Sequence, residues 1–174
     1  SNIIMGLLKP NYGSVTVDEL DIAQNLKNWQ EKISFVPQEI SLFDNTIKNN
    51  ILFSNNFYDD NNKLLNNVIN DSQINELIKN LPEGINTQVG ENGARISIGE
   101  RQRIGIARAL YNSPKLLIFD EATSALDLQS EQEILNEIQI LKKDTTLIFI
   151  SHRDSALKNC DEKYILKDGI LIKN

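Results

Sequence analysis

The chain has 174 residues, of which 40% are hydrophobic and 24% charged, as expected of one folded domain with a buried core. Its 18 basic and 24 acidic residues give a net charge of -6, and this acidic balance disfavours nucleic acid as a partner. The apolar runs are far shorter than the ~20 residues of a membrane-spanning helix, and because the first residues lack the charged-then-apolar pattern of a secretory leader, we expect none. A single cysteine, Cys160, and a single histidine, His152, exclude an internal disulfide and a His/Cys zinc site and indicate a reducing, cytosolic compartment.

The first half of the chain alternates between short strands and helices, a pattern typical of an α/β fold with a parallel sheet. In chain order we predict a helix over Ser1–Leu8, strands over Val15–Val17 and Ile33–Val36 with a helix over Leu26–Glu31 between them, and a mostly helical insertion from Asn45 to about Asn92. Pro37 ends the strand before it, because the residue preceding a proline is held in an extended conformation.

The second half continues the alternation. We predict a helix over about Gly99–Tyr111, a strand over Leu116–Phe119, a helix with Ile134, Ile138 and Leu141 on one face, a strand over Thr146–Ile150, and a final hairpin of Lys163–Leu166 and Ile170–Ile172. The spacing of Ser130 and Glu133 predicts a capping box at the start of the Ile134 helix. Asp168 and Gly169 predict the tight turn of the hairpin.

Polar side chains follow three of the predicted strands. Gln38 follows the first, Asp120 and Glu121 the second, and Ser151 and His152 the third. In open α/β sheets, ligands bind outside the carboxyl ends of the parallel strands. If the three strands are neighbours, an amide, two carboxylates and the only imidazole therefore converge at one edge.

This set of side chains suits metal-dependent phosphoryl transfer. Asp120 is the type of carboxylate that holds Mg²⁺ beside phosphate oxygens, and Glu121 could polarise an attacking water as general base. His152 could donate to a γ-phosphate or hold Glu121 and the water in line, and Gln38 could bridge metal and water. Taken singly, each has a structural interpretation: the Asp-Glu pair could cap a turn, and the histidine could be a surface residue.

Four segments, in the same order and spacing, resemble motifs of the ATP-binding cassette (ABC) ATPases. Val36–Gln38 is similar to the Q-loop, Ile96–Arg103 with Ala107–Leu110 to the LSGGQ signature and its helix, Leu116–Asp127 to the Walker B motif and D-loop, and Ile150–Arg153 to the H-loop. The resemblance covers essentially the whole chain. It implies an ABC ATPase fold, with a parallel-sheet core of the P-loop NTPase type (about 1–44 and 113–174) and an inserted helical subdomain (about 45–112).

Two further segments resemble the exporter branch of the family. Leu42–Ile51 is similar to the exporter pattern LF-x-x-TI-x-x-NI, and Val89–Gly93 to the loop before the signature, in which Glu91 would face the membrane domain. The resemblance implies an ATPase that drives transport from the cytoplasmic face of a cell membrane, a bacterial inner membrane in our interpretation. The transported substrate is not encoded here, since the membrane domain selects it.

The resemblance also implies that ATP and Mg²⁺ are held between two ATPase domains in a head-to-tail dimer, with a transmembrane domain as further partner. On one subunit, Asp120 and Gln38 would contact the metal while Glu121, His152 and Gln38 serve catalysis; on the other, Ser97, Gly99 and Glu100 would close over the γ-phosphate and Asp127 would lie at the dimer seam.

The chain departs from the family pattern in its signature and in its phosphate loop. Ile98 replaces the first signature glycine and Glu100 the glutamine; a β-branched residue disfavours positive φ and adds bulk, and the carboxylate adds negative charge near a polyanion. No G-x-x-x-x-G-K-[ST] loop occurs. Because Ser1–Pro10 resembles the helix after that loop, we expect truncation, with the loop just upstream and poor ATP binding by the chain as written.

The sequence leaves two alternatives open. One is a soluble ABC ATPase without a membrane domain, which the exporter-like segment and the lack of a coiled-coil insertion disfavour. The other is a degenerate cassette that binds ATP but barely hydrolyses it, which Ile98 favours while the intact Glu121 and His152 oppose it.

Overall fold

The structure, a computed structural model, describes residues 1–53, 62–123, 126–140 and 144–173. The strands are β1 (Thr16–Val17), β2 (Leu20–Asp21), β3 (Ile33–Val36), β4 (Leu116–Asp120), β5 (Thr146–Ile150), β6 (Tyr164–Lys167) and β7 (Ile170–Lys173). The α-helices are α1 (Leu26–Gln30), α2 (Ile47–Leu52), α3 (Asn62–Asp71), α4 (Asn75–Asn80), α5 (Ile98–Tyr111), α6 (Leu128–Ile140) and α7 (Asp154–Leu157). Short 3-10 turns cover Ile22–Asn25, Gly84–Asn86 and Glu91–Gly93.

A parallel sheet in the order β3-β4-β5 lies at the centre of the fold. Strand β4 is buried from Leu116 to Phe119, whereas β5 is only half-buried. The rings of Phe119 and Phe149, which are opposite each other in the register, stack with centroids 4.8 Å apart. The predicted α/β fold with a parallel sheet is therefore confirmed, and of the two apolar strands only β4 is covered along its length.

The helices between β3 and β4 share one hydrophobic core with the sheet. Helix α5 packs against α2, α3 and β3, and its apolar residues join those of the sheet and of α6 in a single cluster that includes Val36, Ile104, Phe119 and Ile134. The Ile134 and Ile138 face of α6 is fully buried as predicted, and Leu141 lies outside the described residues. The division into subdomains near residues 45 and 112 stays a prediction.

The prediction of a helix over Ser1–Leu8 is wrong, since this segment forms turns. The N–H groups of Met5, Gly6 and Leu7 donate to carbonyls four, three and five residues back, respectively. Gly6 adopts a φ of +70°, which is incompatible with continuing a right-handed helix. Helical apolar spacing alone did not reveal this interruption.

The hairpins are formed by β1 with β2 and by β6 with β7, both antiparallel. Asp168 and Gly169 both have positive φ, +50° and +80°, as a two-residue type I′ turn requires, so the predicted turn is confirmed. No helix in the described ranges has the length and apolarity needed to cross a membrane.

A buried asparagine fixes the segment that follows β3 to the signature helix α5. Asn50 is fully buried; its Oδ1 accepts from the Phe43 N–H at 2.9 Å, and its Nδ2 donates to the carbonyls of Phe43 and Thr46 at 3.0 Å. Arg108 of α5 donates to Asn50 twice, through Nε to the backbone carbonyl at 2.8 Å and through Nη2 to Oδ1 at 3.2 Å. Burial lowers the pKa of the Arg108 guanidinium by desolvation, and its carbonyl partners offset that cost.

We expect Asn50→Ala to lower the free energy of unfolding by about 3 kcal/mol, because several buried partners would lose their hydrogen bonds at once. The comparison variant is Asn66→Ala on the exposed face of α3, for which we expect a change within about 0.5 kcal/mol. Chemical denaturation of the two variants and the parent measures the difference. Equal midpoints for Asn50→Ala and Asn66→Ala would contradict the assignment of Asn50 as a structural centre.

Candidate functional site

The carboxyl ends of β3, β4 and β5 lie at one edge of the sheet and carry the polar residues predicted there. Asp120 is the last residue of β4 and lies opposite Ile150, the last residue of β5. Gln38 follows β3 by two residues, and His152 follows β5 by two. The parallel register therefore places all three strand ends together.

Glu121 and His152 are in direct contact, with Nε2 of His152 3.0 Å from Oε1 of Glu121. The backbone of Glu121 is left-handed, with a φ of +52°, and its N–H donates to the Ile150 carbonyl at 2.9 Å. That hydrogen bond holds the turn after β4 against the end of β5. The Glu121 side chain is 28% exposed and that of His152 is 92% exposed, so the pair faces solvent and is open to a substrate.

Asp120 offers the oxygen chemistry that Mg²⁺ requires. Its Oδ2 accepts a hydrogen bond from the Ser1 hydroxyl at 3.1 Å, so a carboxylate and a hydroxyl lie side by side at the end of β4. Mg²⁺ is usually bound through one or two carboxylates with phosphate oxygens and waters completing the shell, and the Asp120 carboxylate fits that role. Among the described residues no hydrogen bond joins the Gln38 side chain to Asp120; the Gln38 backbone carbonyl accepts from Gln102 Nε2 at 3.5 Å.

Helix α5 begins with a capping box formed by Ser97 and Glu100. The Ser97 hydroxyl accepts from the Glu100 N–H at 3.3 Å and lies 2.7 Å from Glu100 Oε2, which also accepts from the Ser97 N–H at 2.8 Å. The helix N-terminus is a site that favours negative charge. The Glu100 carboxylate thus occupies the position that attracts an anion.

Ile98 is accommodated without backbone strain. It is the first residue of α5, and neither it nor Gly99 has a positive φ, so the expected conformational penalty for a β-branched residue does not arise. The Ile98 side chain is instead 64% exposed. A Cβ on Gly99 would lie 3.3 Å from Leu126 Cδ2, which shows that this glycine allows the loop before α6 to pack closely on α5.

The start of α5 opens onto a cleft of about 630 Å³. Its walls contain the predicted nucleotide-binding residues Ser97, Gly99, Glu100 and Asp127, together with Gln73, Glu76, Leu77, Asn80, Leu81, Arg103, Leu126 and Ser130. Neither Glu121 nor His152 lines this cleft. The structure therefore separates the predicted site residues into two groups, one at the strand ends and one at the signature helix.

The predicted capping box of Ser130 and Glu133 is wrong. Helix α6 begins at Leu128, so Ser130 lies inside it, and the Ser130 N–H donates to the Asp127 carboxylate at 3.0 Å. Glu133 accepts instead from Gln129 Nε2 at 3.1 Å. The hydrogen bonds from Ser130 and neighbouring backbone groups lower the pKa of the exposed Asp127 carboxyl.

Sequence reasoning missed a buried set of polar residues behind the strand ends. Glu131 of α6 is fully buried and contacts Thr123 and Arg153, which flank the Glu121 turn and His152, respectively. The sequence feature that could have revealed this set is the position of Glu131 on the inner face of α6, one turn before Ile134. Ser124 and Ala125, part of the D-loop resemblance, lie outside the described residues.

The chain is similar to ABC proteins over nearly its whole length. It is 39% identical to a Rickettsia typhi protein described as an export ATP-binding/permease protein, over 98% of this chain and 29% of that protein. It is 40% identical to ATP-binding cassette sub-family B member 5 of Mus musculus, over 98% of this chain and 14% of that protein. The chain thus spans less than a third of the length of these relatives.

A solved structure of a bacterial Atm1-family ABC exporter with ATP bound has the same fold. It superposes with a TM-score of 0.89 at 34% sequence identity, covering 98% of this chain and 30% of the exporter chain. The family model described as "ABC transporter" matches residues 1–124, which include the β3, α5 and β4 segments of the site. On these findings the chain belongs to the ABC transporter family.

Proposed function

We propose that the chain is the ATP-hydrolysing domain of an ABC exporter, acting within a longer protein at the cytoplasmic face of a membrane. The contact between Glu121 and His152 is the observation that carries this proposal. It is supported by the relatives, one described as an export ATP-binding/permease protein and one solved as an exporter with ATP bound. The substrate moved by such a protein would be selected by its transmembrane domain.

In this proposal Glu121 is the general base that takes a proton from the water attacking the γ-phosphorus. His152 lies 3.0 Å from the carboxylate, so its imidazole can hold Glu121 and the water in line or donate to an oxygen of the γ-phosphate, and ADP is the leaving group. Such a base typically contributes about 10²–10⁴-fold to the rate. Gln38, at the same edge of the sheet, would orient the water through its amide.

Asp120 and Gln38 would hold Mg²⁺ through a carboxylate and an amide oxygen. When bound, this ion would neutralise charge on the β- and γ-phosphates. Asp120 is fixed at the end of the buried strand β4, so its carboxylate position is set by the sheet and not by a flexible loop. That fixed position would keep the metal-binding oxygen beside the Glu121 turn.

The start of α5 would bind the γ-phosphate of a nucleotide held by a second ATPase domain in a head-to-tail dimer. Ser97 and Gly99 supply the hydroxyl and the close backbone approach, and Asp127 lines the same cleft. Glu100 already accepts from the Ser97 N–H and hydroxyl, so the phosphate would have to displace this carboxylate. Glu91, exposed in the 3-10 turn before α5, would face the transmembrane domain.

We expect Glu121→Gln to lower the steady-state rate of ATP hydrolysis by the full-length protein about 10²-fold or more, which effectively abolishes turnover, because the amide cannot accept the water's proton. ATP binding and ATP-dependent dimerisation should persist, since Gln keeps the shape of the side chain. Phosphate release and nucleotide binding are measured on the variant and on Glu133→Gln, a carboxylate of α6 outside the site. Normal turnover by Glu121→Gln would contradict the assignment of Glu121 as the general base.

We expect His152→Ala to lower kcat about tenfold or more, since Glu121 and the water lose their orienting group. Because the imidazole is 92% exposed, the fold should be unaffected, and an unchanged unfolding temperature serves as the control. A rate equal to that of the parent protein would contradict the orienting role of His152 and leave it as a surface residue.

We expect Glu100→Gln to tighten ATP binding about two- to fivefold, because a carboxylate at a helix N-terminus competes with a phosphate for an interaction of ~0.3–1 kcal/mol. Binding is measured in the Glu121→Gln background, where hydrolysis does not interfere. The matched control is Glu76→Gln, an exposed carboxylate of α4 that lines the same cleft. Equal effects of the two substitutions would show that only the general charge of the cleft matters.

A further inference from the structure

A carboxylate with no solvent exposure lies behind the catalytic pair. Glu131, in the first turn of α6, has 0% exposed surface. Its Oε1 accepts from the Thr123 hydroxyl at 2.7 Å, and its Oε2 lies 3.6 Å from Nη1 of Arg153. A buried charge is retained only where it is paired and hydrogen-bonded, so this arrangement holds both partners firmly.

These partners flank the two residues that perform the proposed chemistry. Thr123 is two residues after Glu121, and Arg153 directly follows His152. Nη1 of Arg153 also donates to the Thr123 carbonyl at 3.5 Å and to the Leu126 carbonyl at 3.2 Å. The turn after β4 and the loop after β5 are thereby joined on their buried side.

The same contacts extend to the signature helix. Leu126, whose carbonyl accepts from Arg153, packs on Gly99, where an added Cβ would lie 3.3 Å from Leu126 Cδ2. Asp127, the next residue, lines the cleft that contains Ser97. The Arg153 guanidinium therefore connects the loop of His152 to the wall of the cleft at the start of α5.

The pair needs such an anchor because packing holds the His152 side chain little and the Glu121 backbone has an uncommon conformation. His152 is 92% exposed, and Glu121 has a left-handed φ of +52°, a conformation that a non-glycine residue adopts only when its surroundings impose it. We propose that Glu131 is a positioning residue for ATP hydrolysis, which sets the distance between Glu121 and His152 by holding Thr123 and Arg153. This inference rests on the proposed ATPase function.

The test compares kcat and KM of the full-length protein with those of Glu131→Gln. Glutamine keeps the volume and can still accept from Thr123, but it removes the charge that faces Arg153. We expect kcat to fall about tenfold or more, because small displacements of catalytic groups are costly, and KM for ATP to stay within about twofold. Glu133→Gln, two residues along the same helix, is the matched control and should leave both constants unchanged.

A second variant covers the case in which Glu131→Gln fails to fold. Arg153 is 38% exposed, so Arg153→Lys should fold while losing the planar donors that contact two carbonyls and Glu131. For Arg153→Lys we expect kcat to fall at least about threefold with KM unchanged. For Arg153→Met we expect a larger fall in kcat, so that lysine at this position retains part of the rate that methionine loses. Combining Glu131→Gln with Arg153→Met should add little to the larger single effect, since the two residues act as a unit.

The outcomes separate the inference from the proposed function. If the parent protein hydrolyses ATP, Glu121→Gln does not, and both Glu131→Gln and Arg153→Lys keep the parent kcat, the positioning role is overturned while the ATPase stands. A rise in KM at constant kcat for either variant also overturns it, because the residue would then serve binding. If the parent protein does not hydrolyse ATP, the proposed function fails, and the positioning role fails with it.

Discussion

The parallel pairing of β4 with β3 on one side and β5 on the other is the constraint on which the strand-end site depends. With Val36 opposite Phe119 and Asp120 opposite Ile150, three chain segments distant in sequence end at one edge. Strand β4 is buried on both faces up to Phe119, so a shift in register would carry the Asp120 carboxylate into the buried part of the sheet, where it would lose its exposure to water. The Glu121 N–H, bonded to the Ile150 carbonyl, extends the same pairing into the loop that carries the carboxylate.

Helix α5 provides the second constraint, since it connects three regions of the molecule. Its first turn forms the wall of the cleft, Gln102 donates to the Gln38 carbonyl, and Arg108 is bonded to Asn50. Gly105 lies so close to Ile40 that an ideal Cβ would be 2.5 Å from its Cδ1. A displacement of α5 would therefore also move the segment after β3. This close packing physically links the start of α5 to Gln38.

The strands of the central sheet and the strand-end site could be predicted from sequence because they depend on local patterns, whereas the short strand β2 (Leu20–Asp21) was missed. Apolar runs ended by polar residues identify β4 and β5, and parallel pairing then brings Glu121 to His152. The helix starts show where this reasoning fails. Ser97–Glu100 and Ser130–Glu133 have the same spacing, yet only the first forms a capping box. Asp127 accepts the Ser130 N–H and starts α6 earlier, a competition between caps that the spacing of one pair does not show.

The buried polar contacts could not be predicted from the sequence either, because no local spacing joins residues 123, 131 and 153. Under the proposed function, the exposure of His152 makes such contacts necessary. A base and an imidazole acting on a nucleotide that enters from solvent would not be fully covered by packing, so their geometry would come from the residues beside them. Thr123 and Arg153 occupy those neighbouring positions, and both contact Glu131 in the interior. Burying that carboxylate is unfavourable in itself, and the Thr123 hydroxyl and the Arg153 guanidinium offset the cost. The same two contacts hold the chain beside Glu121 and beside His152.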